Sequence, residues 1–386
     1  MKRSTGRYIT TSTVGEAVKA FVPNPLPPDP PLETSERLQD AINRAHLALG
    51  GLNTVTSLLR DVDIFLYMYV RKEAVYSSQI EGTQSTLIDL LRYEGKNTPG
   101  VPLDDVTQVS QYVAAMNIGL KRLQEIPLSL RLIRELHAIL MHHGRGSDKT
   151  PGEFRTSQNW IGGSRPGNAR FVPPPPDLLM DCLGAWEKFL HNDPVRTPTL
   201  IKVALAHAQF ETIHPFLDGN GRLGRLLIPF LLCAEDILKE PLLYISLYFR
   251  VHRTEYYDRL QAVRLDGDWE GWVLFFLDAV ASIAETTVET TKRLIMLFER
   301  DEKQIQSIGR SSPTVLGIHR ALCRQPIMTR SQIGSATHFS APTVAGGLTR
   351  LQELGIVTAP TDRKRGGYYS YNGYLKILNE GTEVKE

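Results

Sequence analysis

The sequence predicts a mainly α protein, with a helical body followed by a small C-terminal unit of helices and a β-hairpin. Three observations predict this class. Apolar residues recur at helical spacing along most of the 386 residues, as in Thr199–Thr212 and Leu226–Leu238. Capping residues such as Ser35 and Ser129 stand just before such runs. Strand-like stretches are short and confined to residues 158–172 and 356–371.

At this length the chain has room for two or three domains and a large core. Hydrophobic residues make up 42% and charged residues 22%, the proportions of an ordinary soluble protein, and a net charge of +2 forces neither a nucleic-acid nor a membrane partner. Cys182, Cys233 and Cys323 are scattered and match no disulfide or zinc spacing, which fits a reducing, cytoplasmic location. Lys2 and Arg3 are not followed by the apolar core of a signal peptide. No apolar run has the length of a membrane span, Leu226–Ala234 being too short.

In chain order, residues 1–33 are polar and then proline-rich, which suits an extended surface arm. Thr34 or Ser35 caps a first helix through Leu38, Ile42, Ala45 and Leu49, stopped at Gly50-Gly51. A second helix runs from near Asp61 to Ile80, with Gly82 as the residue that turns the chain away. Glu81 then falls in a last turn, where the helix dipole disfavours a carboxylate. Residues 104–125 form a helix, and Ser129 caps another that ends at His142-His143-Gly144. His137, His142 and His143 lack zinc spacing and read as structural. The long loop 144–176 holds two short strands, Gln158–Ile161 and Ala169–Val172, and ends in four prolines. Helices follow from Asp177 to about His191, over 199–212, over 248–264, and over 268–305 as one or two pieces.

Residues 311–386 read as a separate unit. Three helices, Thr314–Leu322, Thr329–Ala336 and Ser340–Leu354, precede a β-hairpin around the basic turn Asp362–Gly367. The unit resembles a winged helix-turn-helix. Its sharp reading is DNA binding and its plain one a protein-docking or dimerisation module. The recognition-helix position carries only Arg350 as a base, which favours the plain one.

The chemistry concentrates between His214 and Arg225. This stretch links two helices and holds one imidazole, one carboxylate, one amide, two guanidiniums and three glycines. Unpaired N–H groups at a helix start and the dipole there favour an anion. Gly219 and Gly221 let backbone approach a ligand. Arg222 and Arg225, three apart, suit a polyphosphate. Asp218 is a hard oxygen ligand for Mg²⁺ and His214 a base near neutral pH. Together they indicate phosphoryl or nucleotidyl transfer. Taken singly, each feature is as readily structural.

The stretch resembles the Fic family signature, His-x-Phe-x-Asp/Glu-Gly-Asn-Gly-Arg-x-x-Arg, with every fixed position matched. The resemblance implies a Fic-type helical bundle with a β-hairpin flap at 158–172. It also implies a protein adenylyltransferase that moves AMP from ATP to a Ser, Thr or Tyr hydroxyl of a target protein. His214 would be the base, Asp218 the Mg²⁺ ligand, and Gly219, Asn220, Gly221, Arg222, Leu223, Gly224 and Arg225 the nucleotide-binding loop. Ser77, Glu81 and Gly82 match the family's inhibitory motif, in which the glutamate occupies the second arginine, here Arg225. Tyr257 stands in the Glu-Tyr-Tyr run that contacts adenine in relatives, though an asparagine found later in some of them is Arg264 here. The implied division is an N-terminal arm with inhibitory helix (1–109), a Fic catalytic domain (110–300) and the winged-helix unit (311–386). Expected partners are ATP, a target protein, a second copy restraining the inhibitory helix, and DNA at the C-terminal unit. Open alternatives are transfer of another phosphate-containing group, removal of AMP, or a DNA-binding regulator whose nucleotide site only senses.

Overall fold

The N-terminus is a β-hairpin, not the extended arm the composition suggests. In the computed structural model, which describes residues 3–59, 61–94, 103–144, 146–359 and 367–380, β1 (Gly6–Thr13) pairs antiparallel with β2 (Glu16–Pro23). Val14 and Gly15, at φ 52° and 75°, form the two-residue turn whose twist matches the strands. Arg3 anchors the start of the chain through Glu270 (2.8 Å) and the carbonyls of Pro30, Pro31 and Gly267. A strand-forming run rich in Thr, Val and Tyr outweighed the proline signal that follows it.

Helix α1 (Glu36–Ser57) starts at Ser35, whose hydroxyl accepts from the Leu38 N–H. It runs straight through Gly50-Gly51, the predicted stop, because Leu52 and Val55 continue its buried face. That face packs along α11 (Trp269–Gln306), and tertiary burial overrides glycine's low propensity. Helix α2 (Val62–Ile80) ends as expected, with Gly82 at φ 99° and Thr83 N–H returning to the Ser78 carbonyl. The body continues with α3 (Leu87–Glu94), α4 (Leu103–Leu123), α5 (Leu130–Leu140), α6 (Pro176–Leu190), α7 (Thr199–Ile213) and α8 (Asn220–Ala234). The predicted helix over 248–264 is two helices, α9 (Ser246–Val251) and α10 (Arg253–Asp266), broken at His252. Helix α11 is one piece. Its hydropathy and length would suffice to cross a membrane, which corrects the sequence reading, yet 61% of that apolar window is buried inside the protein.

The C-terminal unit holds α12 (Ser312–Arg324), β3 (Ile327–Met328), α13 (Arg330–Thr337), α14 (Ala341–Glu353) and β4 (Tyr369–Ser370). Ser370 pairs with Ile327 on one side and bridges Thr358 on the other, so β4 is central to three short strands. The basic turn at 362–366 lies outside the described residues. A last helix, α15 (Asn372–Asn379), was not anticipated, although Tyr374 and Leu378 stand four apart as a helix face requires. It buries both residues against α11 and draws the C-terminal unit into the same continuous core as α2 and α11. Lys72 of α2, wholly buried, donates to the Leu378 carbonyl (3.0 Å), and Tyr371 donates to buried Asp301 (2.6 Å).

Candidate active site

The signature loop is built between α7 and α8. Helix α7 ends at His214 in the left-handed conformation (φ 50°), and Gly219 (φ 77°) turns the chain into α8. Asn220 is 2% exposed and spends its whole amide inside the loop: Oδ1 accepts from Phe216 N–H (2.9 Å) and Nδ2 donates to the Phe216 carbonyl (2.8 Å). Its side chain therefore braces the loop, while the residue still lines the cavity described below. The Phe216 ring stacks on His137 (3.7 Å between centroids). His137 Nδ1 accepts from Gly152 N–H, so Nε2 carries the proton and donates to the Asp218 carbonyl (3.0 Å). That histidine is structural, as its spacing suggested.

Arg225 is 1% exposed and faces α2. Its Nε donates to Ser77 Oγ (3.0 Å), and one Nη donates to both the Ser77 carbonyl (2.9 Å) and Glu81 Oε1 (2.7 Å). Burial works to raise the Glu81 pKa, but the charge and hydrogen bond of Arg225, with Arg222 and His214 behind them, hold it below the usual carboxylate range. The same pairing raises Arg225 against the effect of its own burial. Gly221 makes the arrangement possible, since a Cβ there would stand 2.3 Å from Glu81 Oε1. The glutamate carboxylate thus lies against the first turn of α8, where an anion is favoured.

An open cavity of about 380 Å³ adjoins this pair, lined by Glu81, Asp105, His214 and Asp218 to Arg222, and by Asn159–Gly162. Arg222 reaches Gln108 and the Met141 sulfur (3.1 Å) from its wall. Leu223 and Gly224 do not reach it: Leu223 is core, and Gly224 lets α7 approach, with Glu211 Oε1 2.4 Å from where its Cβ would be. Tyr257 does not line it either; Arg253 lies over its ring at 5.3 Å. These three residues stand back from the cavity wall.

Burial lowers the His214 pKa to about 3, and Arg155 and Arg264 push in the same direction, so the imidazole is neutral at neutral pH. Asp218 accepts from Gly219 N–H through Oδ1 (2.6 Å). Among the described residues no group of three or more His, Cys, Asp or Glu forms a metal cage. Of the three carboxylates at the cavity, Glu81 is paired with Arg225 and Asp105 accepts from Gln84 N–H, so Asp218 is the one that suits Mg²⁺, which is commonly held by one or two carboxylates and the substrate's own phosphates.

The predicted two-stranded flap has a single antiparallel bridge, Ile161 with Phe171. Sequence reasoning did not foresee the roles of the residues that tie it to the base. Buried Arg155 donates to the carbonyls of His214 (2.9 Å), Ser157 and Pro174, joining both feet of the flap to the signature loop. Arg264 donates to Thr212 Oγ1 and the Glu211 carbonyl and lies 4.1 Å from the Phe171 ring. A third device sits behind Arg225. His207 Nδ1 faces the Gly224 carbonyl (3.0 Å), so its Nε2 accepts from the Tyr256 hydroxyl (2.9 Å). A histidine within an apolar run was the available signal, at His207.

This is a helical domain with an anion site at a helix start, a neutral histidine beside it, and a carboxylate of its own chain in the anion's place. The Fic/DOC family N-terminal signature matches residues 39–121 and the Fic/DOC family signature residues 127–232. Residues 39–121 and 127–232 thus carry the N-terminal and Fic domains of the Fic/DOC family. It is 26% identical over 291 residues to protein adenylyltransferase Fic of Drosophila erecta, covering 74% of this chain and 54% of that protein. Against the Drosophila grimshawi protein of the same name it is 27% identical over 297 residues, covering 72% and 56%. The chain spans about half the length of these curated relatives. A Fic family protein from Desulfovibrio desulfuricans shares the fold with a TM-score of 0.57 at 20% identity, over 88% of this chain and 97% of the other. A Fic domain containing signaling protein from Bacteroides thetaiotaomicron gives 0.50 at 18%, over 66% and 95%.

Proposed function

We propose that the protein transfers AMP from ATP to a hydroxyl side chain of a target protein and that Glu81 holds this activity in check. The observation that carries the reading is the Glu81 carboxylate seated on Arg225 and the start of α8, beside neutral His214. An internal carboxylate in an anion site marks where an external phosphate would bind. Relatives named protein adenylyltransferase Fic support AMP as the group moved.

In this mechanism ATP displaces Glu81. Arg222 and Arg225 take the outer phosphates, and the backbone N–H groups at the start of α8 face the phosphate oxygens. Asp218 is the side chain that would hold Mg²⁺, which supplies positive charge to the phosphates. His214 Nε2 accepts the target hydroxyl's proton as its oxygen bonds to the α-phosphorus, and the bond to pyrophosphate breaks. A histidine with its pKa near 3 is a weak base, but the anionic nucleotide favours the imidazolium and moves it back toward neutrality. The test is Glu81→Gly protein incubated with MgATP labelled at the α- or the γ-phosphate. Protein labelled from the α position alone supports the reading; γ-label transfer, or none from either, refutes it.

A second reading, a DNA-binding regulator, draws on the order of α12, β3, α13 and α14 and the strand bridged at Thr358 and Ser370. Against it, Arg350 of α14 is paired with Glu353 (2.7 Å). A gel shift with a genomic DNA pool, with and without ATP, separates the two.

A further inference from the structure

We propose that the N-terminal hairpin is a positioning element of the active site. Together with Arg264, it holds loop 158–172 as a preassembled edge beside His214, ready for an extended hydroxyl-bearing segment of a target protein. The proposal rests on the transfer reading above.

With one bridge of its own, the loop cannot hold a strand edge unaided. Its order comes from outside. Phe21 N–H of β2 donates to the Val172 carbonyl (2.9 Å), which carries the β1–β2 ladder onto the loop. Val18 and Ala20 bury themselves with Val172 in a small cluster apart from the main core, closed by Trp160 and Ala169. At the tip, the Glu16 carboxylate beside the hairpin turn accepts from Arg165 Nη1 and Gly167 N–H, both at 2.8 Å. Gly167 fits that grip closely, since a Cβ there would lie 2.2 Å from Glu16 Oε2. On the inner side, the Arg264 guanidinium lies over Phe171 while bonded to Thr212 and to the Glu211 carbonyl, two and three residues before His214. Asn159 completes the tie by donating to the Phe216 and Leu217 carbonyls (3.2 Å each).

Backbone hydrogen bonds therefore run from the β1–β2 sheet through Phe21 to Val172, and from the neighbouring Phe171 to Ile161. Asn159–Gly162 is the rim of this array that reaches the cavity, which His214 and Asp218 also line. A target segment adding to that rim gains main-chain hydrogen bonds. Because the hairpin has already ordered the rim, the entropy of ordering it is not charged to target binding. Removing the hairpin's grip should weaken target binding and leave ATP binding alone, because the supports touch the loop and not the start of α8.

The test uses the full chain with Glu81→Gly as parent. Glu16→Ala removes the tip contacts, Glu16→Gln keeps an acceptor oxygen for rescue, and Val18→Ser disturbs the small cluster. Hydrogen exchange of residues 159–172 should rise at least tenfold with Glu16→Ala and Val18→Ser, with α7 and α8 unchanged. With a library of threonine-bearing peptides and α-labelled ATP, the KM for peptide should rise at least fivefold at unchanged KM for ATP. Glu16→Gln should restore both. Unchanged loop exchange overturns the brace. A parallel rise in both KM values, or exchange spreading through α7 and α8, overturns a positioning role in favour of general destabilisation. If the parent labels nothing, the transfer reading has failed and the positioning role with it, while loop exchange still decides whether the hairpin orders the loop.

Discussion

Replacing Glu81 by glycine should tighten ATP binding by about tenfold. The carboxylate makes one charged hydrogen bond to Arg225 at 2.7 Å. Charged hydrogen bonds contribute about 1.5–3 kcal/mol. Glu81 is 39% exposed, so solvent screens it and the lower end applies, about 1.5 kcal/mol. An ATP phosphate that takes over Arg225 must first displace this bond, so removing it returns that energy to nucleotide binding. At about 1.4 kcal/mol per decade, the dissociation constant falls roughly tenfold. Titration calorimetry of wild-type and Glu81→Gly protein with MgATP reads it directly. The Ser77 contacts to Arg225 persist in the variant, so the guanidinium stays in place. An unchanged dissociation constant would refute competition for Arg225, and a weakened one would mean that Glu81 assists nucleotide binding.

Other outcomes follow from the same geometry. His214→Ala in the Glu81→Gly background should lose α-label transfer by at least 10²-fold while keeping its ATP affinity, measured by filter assay and calorimetry. Gly221→Ala in that background should lose ATP affinity although the glutamate is gone, because the methyl group projects into the site that Glu81 Oε1 fills in the wild type; calorimetry checks this. Burial lowers the Lys72 pKa to about 7, from 10.5. Between those values the unfolded chain binds more protons than the folded one, so wild-type stability rises with pH across that window. Relative to Lys72→Met, the wild type should gain on the order of 1.4 kcal/mol per pH unit from pH 7 to 10, read by denaturant melts. A difference between the two that stays constant over this range would refute the burial of an uncharged amine.

The fold was legible where local signals and tertiary packing agree. Ser35, Ser129 and Gly82 mark helix ends, and the structure ends those helices there. It was illegible where they disagree. Gly50-Gly51 looks like a stop but lies inside α1, because the long apolar face of α11 rewards continuing. The N-terminal hairpin was hidden because the prolines from Pro23 onward masked the strand pattern of residues 6–22, although its ladder is local. The brought-together groups at the candidate site, His214, Asp218, Arg222 and Arg225 with Ser77 and Glu81, were named from sequence because a compact motif carries them. The supporting roles were not. Arg155, His207, Tyr256 and Arg264 act through backbone carbonyls and one another, and no local spacing encodes a bond across 50 residues.

On the proposed reading, the arrangement around Arg225 gives a route by which inhibition is released without unfolding α2. Ser77 is fully buried and holds the guanidinium through both its hydroxyl and its carbonyl. Glu81, four residues on, lies past the last full turn, half-exposed, with the chain already leaving at Gly82. Arg253 fastens the Ile80 carbonyl (3.1 Å), so the end of the helix is held independently of the glutamate. One rotation of the Glu81 side chain can therefore vacate the start of α8 while Ser77 keeps Arg225 aimed. A switch built this way separates two tasks: the buried half of the motif sets the arginine for either anion, and the exposed half decides which anion it meets. If so, saturating ATP should leave hydrogen exchange within residues 62–80 unchanged while altering it at residues 81–85. Exchange rising along the whole of α2 would instead mean that the helix must loosen before nucleotide can bind.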